Sequence, residues 1–386
     1  MHFAAHHSTS ADLAEALNSI AESLRNGLDG AVPDLTLCFV SHAHAAHFAE
    51  LASRLRELTG SRVLLGCTGE TVIGGSEEIE SGPAVSVWSA SLPGVEIVPF
   101  HAEFTRTPDG IVCAGIPPQD KGAASAIFCL GEPFSTAPPS LIDLLADEYP
   151  GVPLLGGMAS GARSPGANRL FYESEMLDRG AVGAILYGGP RIRSVVSQGC
   201  RPIGTPFVVT KAERNVIQAL GGHPPLLRLQ EMLPTLPERD QALVRRGLHV
   251  GLVMNEYQEK FERGDFLISN VIGADGDSGA IAIGNQVRVG QTIQFHVRDA
   301  QTADEDLVHL LQEAAAAQTG RPRGALLFSC NGRGTRLFPQ PHHDAAAIQR
   351  ILGPLPLAGL FAQGELGPVG GRNYIHGYTA SVALFE

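Results

Sequence analysis

The chain has 386 residues, against the ~100–200 of an ordinary domain, so its length points to two domains or to one built by internal duplication. Apolar residues make up 44% and charged residues 18%, which excludes intrinsic disorder and the charge density of a coiled coil. With 28 Lys and Arg against 40 Asp and Glu the net charge is −12, the wrong sign for a nucleic-acid partner bound through its phosphates. The start, Met1-His2-Phe3-Ala4-Ala5-His6-His7, has neither a basic region nor an apolar run, and no stretch has the length a membrane span needs. A cytoplasmic protein with no membrane partner is expected. Six cysteines without a Cys-x-x-Cys pair fit a reducing compartment and neither a disulfide scaffold nor a zinc ribbon.

In chain order, residues 1–30 predict one amphipathic helix, Asp12 to Leu24, capped at Ser10 or its neighbours. A unit that occurs three times follows: an apolar strand, a helix, a Leu-rich strand ending in Gly, a Gly-rich turn and a further strand. The first copy has Leu35 to Val40, the helix Ala45 to Leu58, Val63 to Glu70 and Ala84 to Trp88. The second has Ala126 to Leu130, the helix Pro139 to Glu148, Pro153 to Gly161 and Ala181 to Tyr187. The third has Ala325 to Cys330, the helix Ala345 to Leu352, Pro356 to Glu365 and Thr379 to Phe385. Cys38 to Gly66, Cys129 to Gly156 and Cys330 to Gly359 span 28, 27 and 29 residues, which aligns the copies on their cysteines. A helical crossover between two apolar strands is what a parallel pair requires. Between the second and third copies, Gly221 to Pro225 and Leu233 to Pro237 are turn signals, and His249 to Asp299 is β-rich. Asp304 opens a helix through Ala317. The expected fold is α/β, with layered mixed sheets built from three repeated β-α-β units plus a β-rich insertion, in two lobes.

Six motifs together resemble the FIST proteins, named for F-box and intracellular signal transduction. They are Leu65 to Glu70, Leu155 to Gly161, Gln198 to Gly204, Phe295 to Asp299, Ser329 to Gly334 and Gly364 to Pro368. The resemblance covers nearly the whole chain and implies a FIST N-like domain over residues 31–222 and a FIST C-like domain over 223–386. It also implies a sensory role, with an amino acid or related metabolite as the ligand. Many relatives carry output domains beside the module; here a separate signalling protein would have to read the signal.

Ligands of open α/β sheets collect beyond the carboxyl ends of the strands. The repeat-end turns therefore supply the candidate ligand-binding residues: Cys67, Thr68 and Glu70; Gly157 and Ser160; Cys330, Asn331 and Arg333; and Glu365. Arg333, between two glycines, offers a planar fork to a carboxylate or takes a structural salt bridge. Glu70 and Glu365 could each read an ammonium group or cap a helix. Arg201, Arg298 and His376 complete the set, although Arg298-Asp299 could simply order its own loop and His376 could be structural. A cysteine enzyme acting on a small carbonyl or amide substrate is the alternative, with Cys330 or Cys67 as nucleophile and His342-His343-Asp344 as the source of a base; a protein-interaction scaffold is a third reading. His42, His44 and His47 have spacing for a metal but lack a carboxylate or thiolate in register, so no metal is expected. No dinucleotide, P-loop or hydrolase motif is present, and no cofactor is expected.

Overall fold

The computed structural model describes residues 1–108, 110–258, 260–261, 264–317 and 320–386. The chain opens with β1 (His2–Ser8), a strand the sequence does not announce because three of its seven residues are histidines, and continues into α1 (Leu13–Gly27). The cap of α1 is Asp12, whose carboxylate accepts the N–H groups of Ala14 (2.7 Å) and Glu15 (3.1 Å); Ser10 Oγ accepts the Asp12 N–H. Next come β2 (Leu35–Ser41), α2 (Phe48–Thr59), β3 (Val63–Gly69), the hairpin β4 (Val72–Gly74) and β5 (Glu77–Ile79), and β6 (Val85–Ser91). The helix expected from Ala45 begins three residues later, because His42–His47 form a 3-10 turn. It ends at Gly60, whose φ of 69° is the left-handed conformation that closes a helix.

The hairpin β7 (Glu96–Thr107) and β8 (Gly110–Ala114) precedes β9 (Ala124–Gly131), α3 (Pro138–Glu148), β10 (Leu154–Met158), the hairpin β11 (Leu170–Tyr172) and β12 (Glu175–Leu177), and β13 (Ala181–Tyr187). After β14 (Ile192–Ser197) the chain forms β15 (Cys200–Glu213), β16 (Val216–Leu220), α4 (Pro225–Met232), α5 (Glu238–Arg246), β17 (His249–Val253), β18 (Phe266–Ala274), β19 (Ile281–Ile283) and β20 (Thr292–Arg298). Then follow α6 (Ala300–Ala316), β21 (Gly324–Cys330), α7 (His343–Leu352), β22 (Leu357–Ala362), the hairpin β23 (Glu365–Val369) and β24 (Arg372–His376), and β25 (Ala380–Phe385). α6 starts four residues before Asp304, because Asp299 is its cap and accepts the Thr302 N–H at 2.7 Å.

Two compact units emerge: Met1–Ser197 together with Leu307–Glu386, and Gln198–Asp306. The second is a closed barrel in the order β15-β16-β19-β18-β17-β20, so the β-rich segment recruits two strands that precede it in sequence. A cut at residue 222 falls inside this unit, between β16 and α4.

The first unit holds three sheets, ordered β1-β6-β2-β3-β11-β12, β24-β23-β10-β9-β13-β7-β8 and β14-β25-β21-β22-β4-β5. Each is centred on a parallel pair, β2 with β3, β9 with β10 and β21 with β22. Each is completed by a hairpin from elsewhere in the chain: β11 docks on β3, β23 on β10 and β4 on β22. Glycine is required where hairpin and parallel strand close in. A Cβ on Gly66 would lie 2.4 Å from Cys38 O, one on Gly156 1.8 Å from Cys129 O, and one on Gly359 1.8 Å from Leu327 O.

This register corrects the alignment on cysteines. Gly66 stands opposite Cys38 and Gly156 opposite Cys129, but Gly359 stands opposite Leu327, and Cys330 lies three residues further along, facing Ala362. Strand position is fixed by the backbone contact at the glycine, and a small apolar side chain such as Cys carries no register of its own.

The inner faces of the three sheets share one core, in which Phe39, Leu65, Trp88, Phe128, Phe328 and Phe385 are buried. Trp88 and Phe385 rings lie 4.5 Å apart, and Phe128 stacks on Phe385 at 5.7 Å. The outer faces pack against the apolar sides of α1 and α2, of α3, and of α6 and α7.

Candidate functional site

The carboxyl ends of β3, β10 and β22 are tied to one another by backbone and side-chain bonds. Ser160 N–H donates to Thr68 O (3.0 Å), Gln363 N–H to Met158 O (3.1 Å) and Phe361 N–H to Thr71 O (3.0 Å). The Ser160 hydroxyl donates to Phe361 O and accepts the Glu70 N–H at 2.9 Å. One serine therefore joins three strand ends, two of them from distant parts of the sequence.

At this junction the Glu70 carboxylate receives Arg336 through both terminal nitrogens, at 2.6 and 3.2 Å, and Arg163 at 3.2 Å. The hydrogen bond from Arg336, with Arg163 adding to it, holds the Glu70 carboxyl below its ordinary value against the opposing effect of partial burial. Both arginines face solvent, with side chains 50% and 83% exposed. Arg336 also donates to Asn331 O at 2.8 Å, and its charge is within reach of Cys330. The Asn331 Oδ1 atom is buried without a hydrogen-bond partner among the described residues. Glu70, Ser160, Cys330 and Asn331 are thus gathered near two accessible guanidinium groups, whereas Thr68 joins the junction through its backbone carbonyl alone and turns its buried hydroxyl to Asn168 and Arg169 O. Chemically, the cluster offers cations to an anion, and a carboxylate to an amine that displaces them.

The other candidates in this unit point inward. Arg333 is wholly buried, with Nε and Nη2 on the two oxygens of Asp344 at 2.7 and 2.8 Å and its guanidinium over the Phe338 ring. Burial alone would raise the Asp344 carboxyl, but the Arg333 charge and bonds outweigh it and hold the group far below the carboxylate range. The expected open fork is therefore corrected to a structural salt bridge. Glu365 is buried and accepts the Thr379 N–H at 3.2 Å, so its carboxylate is not placed to read a solvent-borne ammonium. His376 donates from Nε2 to Gly367 O at 2.9 Å, and burial lowers its pKa to about 4, which keeps the ring neutral. Gly157 permits close strand approach, since a Cβ there would lie 2.8 Å from the Ala362 Cβ. Cys67 is wholly buried and burial pushes its thiol far above the ordinary value, which corrects its candidacy as a nucleophile. The proposed bases are engaged as well: His342 Nδ1 accepts the Glu78 N–H (2.9 Å), while His343 pairs with Asp344 (2.9 Å) and stacks on Phe338.

Arg201 and Arg298 belong to the barrel unit. Arg201 meets both oxygens of Asp240 and lies 3.7 Å from Asp299, which also binds Arg239 at 3.0 Å. Arg298 stands opposite Cys200 in the β15–β20 ladder, and its charge adds to the burial that lowers the His249 pKa to about 4. Among the described residues no group of three or more His, Cys, Asp or Glu is arranged to hold a metal ion, and no helix is long and apolar enough to cross a membrane.

Sequence reasoning missed Arg336, Arg163 and Glu78. Arg336 sits six residues past Cys330 in the same Gly-rich turn, a signal that was available; Arg163 follows Gly161 in the second turn. Glu78 gave no signal, because its role is to cap α7 from a hairpin distant in sequence: Oε1 accepts the N–H groups of Asp344 (2.9 Å) and Ala345 (3.0 Å).

Comparison with known proteins gives a consistent picture. The chain is 44% identical over 378 residues, 98% of each chain, to an uncharacterized protein of Mycobacterium tuberculosis (strain ATCC 25618 / H37Rv). It is 42% identical over 377 residues, covering 98% of this chain and 97% of the other, to an uncharacterized protein of Mycobacterium bovis (strain ATCC BAA-935 / AF2122/97). Residues 34–223 match the FIST N domain and residues 225–368 the FIST C domain, and with nearly the whole length matched the chain belongs to the FIST family.

Proposed function

We propose that this chain is a sensory protein that binds a small anionic or zwitterionic metabolite, with an amino acid the first class to test, at the Glu70–Arg336–Arg163 cluster. FIST domains are associated with sensory roles in signal transduction, which sets the functional class. The observation that carries the reading is the convergence of two exposed guanidinium groups on one carboxylate at the carboxyl ends of three strands. In the free protein Glu70 occupies the guanidinium edges; a ligand carboxylate replaces it and the ligand's amine takes up the released Glu70. The signal then passes to a separate signalling protein in the cytoplasm, through a ligand-dependent shift between two states of the chain.

The test is thermal unfolding with amino acids, organic acids and nucleotides, run beside Arg336→Ala. A ligand at ~100 times its dissociation constant adds about 2.7 kcal/mol to stability. A shift for one chemical class in the native chain and none in Arg336→Ala supports the reading. Equal shifts in both, or none for any compound, refute it. A cysteine-dependent enzyme remains the second reading on one observation, that Cys330 is only partly buried and stands near Arg336. A fast-reacting Cys330 that turns over a carbonyl or amide substrate would favour it.

A further inference from the structure

We propose that the cleft beyond the carboxyl end of β9 is a second small-molecule site, one that takes an aromatic monocarboxylate whose ring bears a hydroxyl or amino group. The cleft measures about 480 Å³, within the ~300–1,000 Å³ of small-ligand sites. Its walls are residues 103–106 of β7, the loop 132–137 between β9 and α3, and the turn 178–180 before β13. None of these residues belongs to the Glu70–Arg336–Arg163 cluster, so the proposal stands apart from the function read there.

A buried network fixes the loop. Glu132 is 1% exposed, and its Oε2 accepts the Phe134 N–H (3.0 Å), the Ser135 N–H (2.8 Å) and the Ser135 hydroxyl (2.7 Å). Its other oxygen accepts Asn168 Nδ2 at 3.4 Å. The Ser135 hydroxyl in turn accepts the Gly180 N–H at 2.9 Å, and the Thr136 hydroxyl donates to Gly180 O at 2.7 Å. Loop and turn are therefore shaped before any ligand arrives, and they leave Phe134 42% exposed on the wall of the cleft. Phe104 lines the same space, so a planar ring finds aromatic surface on both β7 and the loop.

The charged groups select the substituents. Arg179 is taken up by its neighbour Asp178 at 3.3 Å. Arg106 and Glu103 are exposed, line the cleft and form no ion pair among the described residues. The planar fork of Arg106 matches a carboxylate, and the Glu103 carboxylate accepts from a hydroxyl or amino group. Glu103 and Asp178 together repel a second negative charge, which disfavours dicarboxylates and phosphate esters.

Calorimetric titration of the full chain with para-hydroxybenzoate and para-aminobenzoate tests the proposal. Both should bind, with the dissociation constant raised about tenfold or more in Arg106→Ala and about fivefold in Phe134→Ala. Glu103→Ala should weaken para-hydroxybenzoate and leave unsubstituted benzoate unchanged, and Arg336→Ala should bind both as the native chain does. All three cleft residues carry exposed or half-buried side chains, so circular dichroism and the ligand-free thermal midpoint should not move. No binding up to ~10 mM overturns the proposal. So does equal affinity in Arg106→Ala, equal affinity for cyclohexanecarboxylate or benzylamine, or a loss of binding in Arg336→Ala instead, which would move the acid to the Glu70 cluster.

Discussion

Replacing Glu78 with Gln should stabilise the fold in alkaline solution and leave it almost unchanged in acid. The Glu78 side chain is buried, one oxygen capping α7 and the other, Oε2, without a hydrogen-bond partner among the described residues, beside the Asp344 carboxylate. Burial first, and the Asp344 charge second, raise its pKa from 4.5 to about 7, against the two N–H bonds and the Arg333 charge. A group whose pKa rises on folding contributes stability that is fully present below its unfolded value and is lost as pH climbs through the folded one. The window therefore runs from about pH 4.5 to just above 7. A rise from 4.5 to about 7, at ~1.4 kcal/mol per tenfold change in proton affinity, makes that loss on the order of 3 kcal/mol by pH 8.5. Gln keeps a carbonyl oxygen for the α7 N–H groups and has no charge to bury. Urea unfolding followed by tryptophan fluorescence reports on the right unit, since the single tryptophan, Trp88, lies in the core shared by its three sheets. The expected gain for Glu78→Gln is about 1–3 kcal/mol at pH 8.5 and close to zero at about pH 3.5, below the window. An equal effect at both pH values, or a loss that grows with pH, would show that the ionised carboxylate stabilises the helix end by more than burial costs it.

Arg333→Ala should unfold the chain more readily by ~3–5 kcal/mol, because it strands the buried Asp344 carboxylate, and Arg333→Ala with Asp344→Ala should recover part of the loss. Independent, additive losses in the double variant would contradict the pairing. Gly156→Ala should cost more than about 3 kcal/mol, since the added Cβ meets Cys129 O at a φ of 141°, and an unchanged thermal midpoint would refute the close approach. Among the thiols, Cys330 should be modified in the folded chain, whereas Cys67, Cys38 and Cys129 should react only on unfolding, as burial raises the latter two to about 12. Mass spectrometry showing early labelling of Cys67 would count against the assignment of β3 to the core.

The parallel pairs were legible in the sequence because both faces of β2, β9 and β21 are covered, and such strands appear as unbroken apolar runs. Partners of the hairpins were not, since three-residue strands such as β4 and β11 carry no pattern that names a distant neighbour. Much the same division holds at the site. Glu70, Ser160 and Asn331 were marked by their place next to a glycine in the turns that follow the strands, a local signal. Arg333 was misjudged because an arginine between glycines looks the same in sequence whether it faces solvent or an aspartate eleven residues on. The barrel was seen only in its second half, because Pro202 and Pro206 interrupt β15 and disguise its length.

The exchange of hairpins makes assembly a closed circuit during synthesis. β4 emerges early but its partner β22 lies near the end of the chain, and β10 likewise waits for β23. Until the last segment leaves the ribosome, the second sheet and the β4–β5 hairpin keep unpaired ladder groups and exposed apolar faces, the condition in which nascent chains aggregate. A chain truncated before Glu365 would thus damage the second sheet by removing its hairpin, the third by removing β25, and the shared core that the first depends on.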